Sequence, residues 1–186
     1  PARHRDTRAE EATEVSYIRF AAEQPNETWQ SDFTHYRLTH PDAQPGPDVT
    51  EIITWLDDHS RYALHISAHH AITAKIVLDT FQQACDQHGH PASTLTDNGL
   101  VYTVRLTSHK YRGGRTALEK ELHRLNIVQK NGKPSSPTTQ GKVERFQATM
   151  KKWLAAQPTQ PTTIDELQTL LNSFAEEYNY RRPHRS

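Results

Sequence analysis

The sequence predicts an α/β fold, a mixed five-stranded sheet flanked by helices. Strand-like and helix-like patterns succeed one another as three strands, a helix, a strand, a helix, a strand and two helices. Val49–Asp57 is a near-continuous apolar run, the pattern of a central strand buried on both faces. Two sets of apolar residues fall at helical spacing: Ala74, Val77, Leu78, Phe81, Ala84 and Cys85, and then Val143, Phe146, Met150, Trp153 and Leu154. Each makes a stripe able to cover a sheet. A chain of 186 residues suits one domain with a sizeable core.

The elements follow in order. Residues 1–24 mix charged and small residues with little periodicity before Val15, and read as a linker or extension preceding a core at 25–186. Trp29–Leu38 reads as the first strand. The next ten residues hold three prolines and a glycine and form a loop. After the second strand, Asp58-His59-Ser60 makes a turn, with Asp58 as turn former and Asp57 as a strand-end residue. Arg61–Ser67 alternates, with Tyr62, Leu64 and Ile66 on one face, as a third strand antiparallel to the second. A helix over Ala71–His88 ends at Gly89. A right-handed crossover through it leads to a parallel fourth strand, Ala92–Thr96. The loop from Asn98 to Arg115 has a basic, glycine-containing tip. A helix over Thr116–Leu125 and a short fifth strand, Asn126–Gln129, follow. Thr138 or Thr139 caps the next helix, which ends near Gln157-Pro158. Thr163-Ile164-Asp165-Glu166 is a capping box for the last helix, with Leu167, Leu170, Leu171, Phe174 and Tyr178 inward.

Composition narrows the function classes. Mean hydropathy is −0.86, and no long apolar run or signal-like segment is present, so no membrane helix is expected. The single cysteine, Cys85, excludes an internal disulfide, and its place on a helical stripe makes it a small buried hydrophobe. The twelve histidines lack zinc-ligand spacing, and there are no paired cysteines. Lys plus Arg equal Asp plus Glu at 22 each, so nucleic-acid binding would have to come from local basic patches.

Three acids stand out. Asp32 lies inside a strand pattern, in Trp29-Gln30-Ser31-Asp32-Phe33-Thr34, against strand propensity. Asp97 ends a strand in Leu95-Thr96-Asp97-Asn98-Gly99, where open α/β sheets carry their chemistry. Glu144 lies about 100° around its helix from Val143, beside the apolar stripe, with Gln140, Gln147 and Lys151 on its side. Three carboxylates brought together repel and need counter-ions. Oxygen donors without cysteine favour hard divalent cations and phosphoryl transfer over zinc hydrolysis. Asp57 and Asp58 are read as structural, Glu119 and Glu121 as solvated, and Asp165 and Glu166 as helix-start charges.

These segments, in this order, resemble the three signature segments of the integrase catalytic core of insertion-sequence transposases and retroviral-type integrases. The third is Gln140-Gly141-Lys142-Val143-Glu144-Arg145-Phe146. The resemblance runs from about Pro25 to Ser186, and includes the Asp57–Tyr62 turn and the closing Tyr178–His184 segment. It implies a ribonuclease-H-like fold. It also implies a DDE transposase or integrase core in which Asp32, Asp97 and Glu144 hold two Mg²⁺ or Mn²⁺ ions for DNA cleavage and strand transfer. Candidate DNA contacts are Asn98, Arg112, Arg115, Lys130, Lys133, Lys142, Arg145, Lys151 and Lys152.

Two departures from retroviral integrases appear. Glu144 comes 47 positions after Asp97, a longer gap that fits an insertion at Arg112–Arg115. Of two positions usually occupied by lysine beyond the third acid, here Ala148 and Lys151, only the second matches. The implied partners are element ends, target DNA and at least one further copy of the chain. An upstream helix-turn-helix is expected outside this sequence, and the location is the bacterial cytoplasm, at the nucleoid. A ribonuclease-H-like nuclease and a non-catalytic DNA-binding or assembly module of the same fold are the alternatives.

Overall fold

The computed structural model describes residues 22–39, 49–104, 114–132 and 141–181. Residues 1–21 of the expected linker, Arg112, Lys133 and the capping residues Thr138 and Thr139 lie outside these, while Ala22, near the end of that linker, is buried. The described elements are β1 (Thr28–Arg37), β2 (Val49–Asp57), β3 (Ala63–His69), α1 (Ala74–His88), β4 (Ser93–Thr96), α2 (Ala117–Arg124), β5 (Val128–Asn131), α3 (Gly141–Ala155) and α4 (Ile164–Arg181).

The strands form one sheet in the order β3-β2-β1-β4-β5. β1, β2 and β3 pair antiparallel, while β4 pairs parallel to both β1 and β5. The parallel partner of β4 is thus β1, two strands away from β3, where the helical crossover begins.

β2 separates two cores. Ile53 and Trp55 join Trp29, Phe81 and Leu118 on the α1–α2 side. Ile52 and Leu56 join Phe146, Met150, Leu154 and Phe174 on the α3–α4 side. The apolar run is therefore buried on both faces, as strand alternation requires. Thr73 caps α1 by accepting a hydrogen bond from the Ile76 amide, so the helix starts three residues later than its apolar pattern. Gly89, at φ 81°, closes it. β3 begins after Arg61, whose φ of 65° finishes the turn rather than starting a strand. Asn126, at φ 56°, likewise delays β5 to Val128.

At the start of α4 the box is half formed. Thr163 Oγ1 accepts from the Glu166 amide, but the Glu166 carboxylate bonds Thr162, not Thr163. The full capping box stands on α2, where Thr116 and Glu119 bond reciprocally.

Candidate active site

The side chains of β1 alternate between the two cores. Trp29 and Phe33 pack toward α1, while Gln30 and Asp32 contact α3. β1 and β4 run parallel with Ser31 opposite Thr96. Asp32 and Asp97 are the next residues on each strand, neighbours across a spacing of about 4.8 Å. β4 stops at this point while β1 continues, so the pair lies at the carboxyl end of β4. Asp97 turns the chain away by accepting the Gly99 amide on Oδ1 at 2.9 Å. A Cβ at Gly99 would meet that oxygen at 3.0 Å, so a larger residue there would press on the Asp97 carboxylate. Asn98 Nδ2 donates to the Gly132 carbonyl at 2.8 Å, and Asn131 Nδ2 donates to the Asp97 carbonyl at 3.1 Å. These bonds fix the Asp97 loop to the end of β5.

Glu144 stands on the first turn of α3, exposed to solvent. One turn further, Gln147 Nε2 donates to Asp32 Oδ2 at 3.2 Å, which places this face of α3 over β1. The Phe33 amide donates to Asp32 Oδ1 at 2.9 Å. Burial pushes the Asp32 carboxyl up to about 6. The hydrogen bond from Phe33 lowers it, the Asp97 charge raises it, Gln147 lowers it and the Glu144 charge raises it. Asp97 and Glu144 therefore both lie within electrostatic reach of Asp32.

Among the described residues, however, no three His, Cys, Asp or Glu side chains stand close enough together to hold one metal ion. The three acids share a region without closing on a common point. The Glu144 side chain is exposed. The donor set nonetheless fits a hard divalent cation. Among the described residues, each Asp32 oxygen has one protein donor and keeps a second lone-pair site, and the one donor contact of the Asp97 side chain falls on Oδ1. Among the described residues the Glu144 carboxylate has no hydrogen-bond partner.

The basic candidates divide. Arg115, Arg145, Lys151 and Lys152 are exposed. Lys142 is turned inward, its Nζ 2.5 Å from Asp58 Oδ2, and Lys130 Nζ lies 3.5 Å from the Thr28 hydroxyl, back across the sheet. The acids read as structural also need correction. Asp57, not Asp58, forms the turn, accepting from the Ser60 amide and hydroxyl and from the Asn26 amide. Asp58 is fully buried and ion-paired. Glu119 is not simply solvated, because it closes the α2 capping box and accepts from Thr103 Oγ1 at 2.6 Å. Glu121 pairs with Arg124 at 2.7 Å. One neighbour of the acids escaped the sequence reading, Gln30, marked only by its spacing two residues before Asp32 on a strand, while Gln147, placed on the Glu144 side of its helix, is found bonded to Asp32.

A mixed sheet in this order, with two acids at adjacent strands and a third on a covering helix, defines the ribonuclease-H-like class. The chain belongs to the integrase core domain family: one model of that description matches residues 22–137 and a second matches residues 125–186. It is 25% identical over 172 residues to an uncharacterized 39.2 kDa protein of insertion element IS476 from Xanthomonas euvesicatoria, covering 89% of this chain and 43% of that protein. It is also 25% identical over 167 residues to an uncharacterized 31.7 kDa protein of insertion element IS407 from Burkholderia multivorans, covering 86% and 51%. The chain thus spans about half the length of these relatives.

Among solved structures, the HTLV-2 integrase catalytic core domain in complex with magnesium matches with a TM-score of 0.60 at 22% identity, covering 85% of this chain and 89% of that one. The simian T-cell lymphotropic virus intasome, solved with a PP2A regulatory subunit, matches with a TM-score of 0.67 at 19% identity, covering 89% and 52%. Among the described residues, no helix is long and apolar enough to cross a membrane.

Proposed function

We propose that this chain is the catalytic core of a DDE transposase that cuts DNA and joins it to a target, using two Mg²⁺ or Mn²⁺ ions held by Asp32, Asp97 and Glu144. The observation that carries this is the adjacency of Asp32 and Asp97 on parallel strands, with the Asp32 carboxyl raised in part by the charges of Asp97 and Glu144. The HTLV-2 integrase core was solved with magnesium, which supports the choice of metal. When bound, such ions neutralise phosphate charge and stabilise the attacking and leaving oxygens of an in-line displacement. Asp32, fixed by Phe33 and Gln147, supplies a ligand whose position changes little through the reaction. Asp97, held by Gly99 and Asn131, would supply the second, and Glu144 would complete the donor set. The nucleophile is water in cleavage and a DNA 3′-hydroxyl in strand transfer, so no protein–DNA bond forms.

Arg115, Arg145, Lys151 and Lys152 are the phosphate contacts this reading keeps among the described residues. Asn98, with one amide hydrogen committed to Gly132, retains a second hydrogen to donate to a phosphate. DNA and a second copy of the chain are the proposed partners, since joining two element ends requires two active sites. An upstream segment that reads the element ends is proposed as well.

The test is Mn²⁺-dependent cleavage and joining of labelled DNA at low salt, by the wild type and by Glu144→Gln. Loss of activity with DNA binding retained is expected. Equal activity in the two would remove Glu144 from the chemistry. Joined products distinguish a transposase from a nuclease that only hydrolyses.

A further inference from the structure

The buried polar contacts beneath α3 do not belong to the acid cluster, yet they end on the two residues that immediately precede Glu144. Asp58 is fully buried. Its Oδ1 accepts from Gln30 Nε2 at 2.6 Å, and its Oδ2 accepts from the Ala22 amide at 2.7 Å and from Lys142 Nζ at 2.5 Å. Lys142 Nζ also donates to the Asp58 carbonyl at 3.0 Å. Gln30 completes the chain, because its Oε1 accepts from the Val143 amide at 3.2 Å. First-turn amides of a helix have no acceptor within the helix, so this bond supplies one from the sheet.

We infer that Asp58, Gln30 and Lys142 act as a clasp that sets the first turn of α3 and thereby positions Glu144 over Asp32 and Asp97. This inference rests on the proposed metal-dependent reading of the three acids. Gln30 shares the face of β1 that carries Asp32 and lies two residues before it, so the strand that holds one acid is tied to the turn that holds another. Asp58 exerts its effect through position, since it is absent from the groups that shift the Asp32 carboxyl. A buried ion pair is a weak source of stability but a strong determinant of register, because a mispaired arrangement strands a charge away from water. Lys142 and Gln30 are therefore positioning residues, and Lys142 is removed from the DNA contacts.

The test uses Lys142→Met, Lys142→Arg and Gln30→Met, with Glu144→Gln as the reference. The readouts are Mn²⁺ affinity by electron paramagnetic resonance titration, and kcat and KM for DNA at saturating Mn²⁺. Gln30→Met leaves the ion pair intact and so keeps the test usable if Lys142→Met fails to fold. The clasp predicts that Lys142→Met and Gln30→Met weaken Mn²⁺ binding on the order of tenfold or more, as loss of groups that orient ligands does. kcat should fall while KM for DNA stays, and Lys142→Arg should retain most of both. A raised KM, with kcat and Mn²⁺ affinity unchanged and a salt dependence shallower by about one unit, would make Lys142 a phosphate contact and overturn the clasp. Weaker Mn²⁺ binding in Glu144→Gln alone would overturn the clasp and leave the function standing. Unchanged Mn²⁺ affinity in Glu144→Gln would take away the metal reading, and the clasp with it.

Discussion

Replacing Asp32 by Asn should make the metal-free protein more stable. Burial, with the charges of Asp97 and Glu144, raises the Asp32 carboxyl from 3.8 to about 6. A group that binds its proton more tightly in the folded state loses stability as pH rises. The penalty is absent below 3.8, grows between 3.8 and 6, and is fully present at pH 7. At 1.36 kcal/mol per pH unit it amounts to about 3 kcal/mol. Asn keeps an oxygen for the Phe33 amide but presents an NH₂ toward Gln147, which costs about 1 kcal/mol. The net gain is about 2 kcal/mol, or roughly 4–8 °C in Tm for a domain of this size.

Urea and thermal melts in chelator at pH 7 measure this gain, and repeating them down to pH 4 should shrink the difference. Saturating Mn²⁺ should reverse the order, since only the wild type gains from bound metal. An Asn variant that is equal or less stable at pH 7 in chelator would refute the idea that the cluster stores unfavourable charge.

Other outcomes follow from the same coordinates. Asp58→Asn leaves the partly buried Lys142 ammonium without its counter-charge and should cost stability, up to about 3 kcal/mol, in urea melts. Burial, and secondarily the His69 charge, hold His65 down at about 4, below its usual 6.5. The unfolded chain therefore takes up the proton first, and stability is lost as pH falls from 6.5 through 4, by about 3 kcal/mol. His65→Gln should flatten that loss in melts across the range, and an unchanged slope would assign the loss elsewhere. Ala at Arg145, Lys151 or Lys152 should each weaken DNA binding regardless of sequence and reduce the salt slope by about 1, measured by fluorescence anisotropy across a salt series.

The three proposed ligands were conspicuous in the sequence, Asp32 and Asp97 because each broke a local rule, inside a strand and before Asn-Gly, and Glu144 because of the segment that flanks it. Gln30 and Asp58 were not, because a Gln in a strand and an Asp at a turn break no rule. Lys142 shows the reverse error. Beside a catalytic-looking Glu it reads as a DNA contact, but the partner that turns it inward is 84 residues away. Part of the long gap before Glu144 lies outside the described residues, and the acid it leads to still reaches Asp32 electrostatically.

Periodicity was enough for the nine described elements, because backbone geometry repeats every 2 or 3.6 residues whatever the rest of the chain does, but not for the faces of β3, where a register shift against β2 puts Leu64 in one core and Ile66 in the other instead of on one face. Strand order, the parallel pairing of β4 with β1 and the direction in which each buried charge points were decided only in the folded chain. Those depend on contacts between residues far apart in sequence, where a charge leaves water only if a distant group is there to meet it.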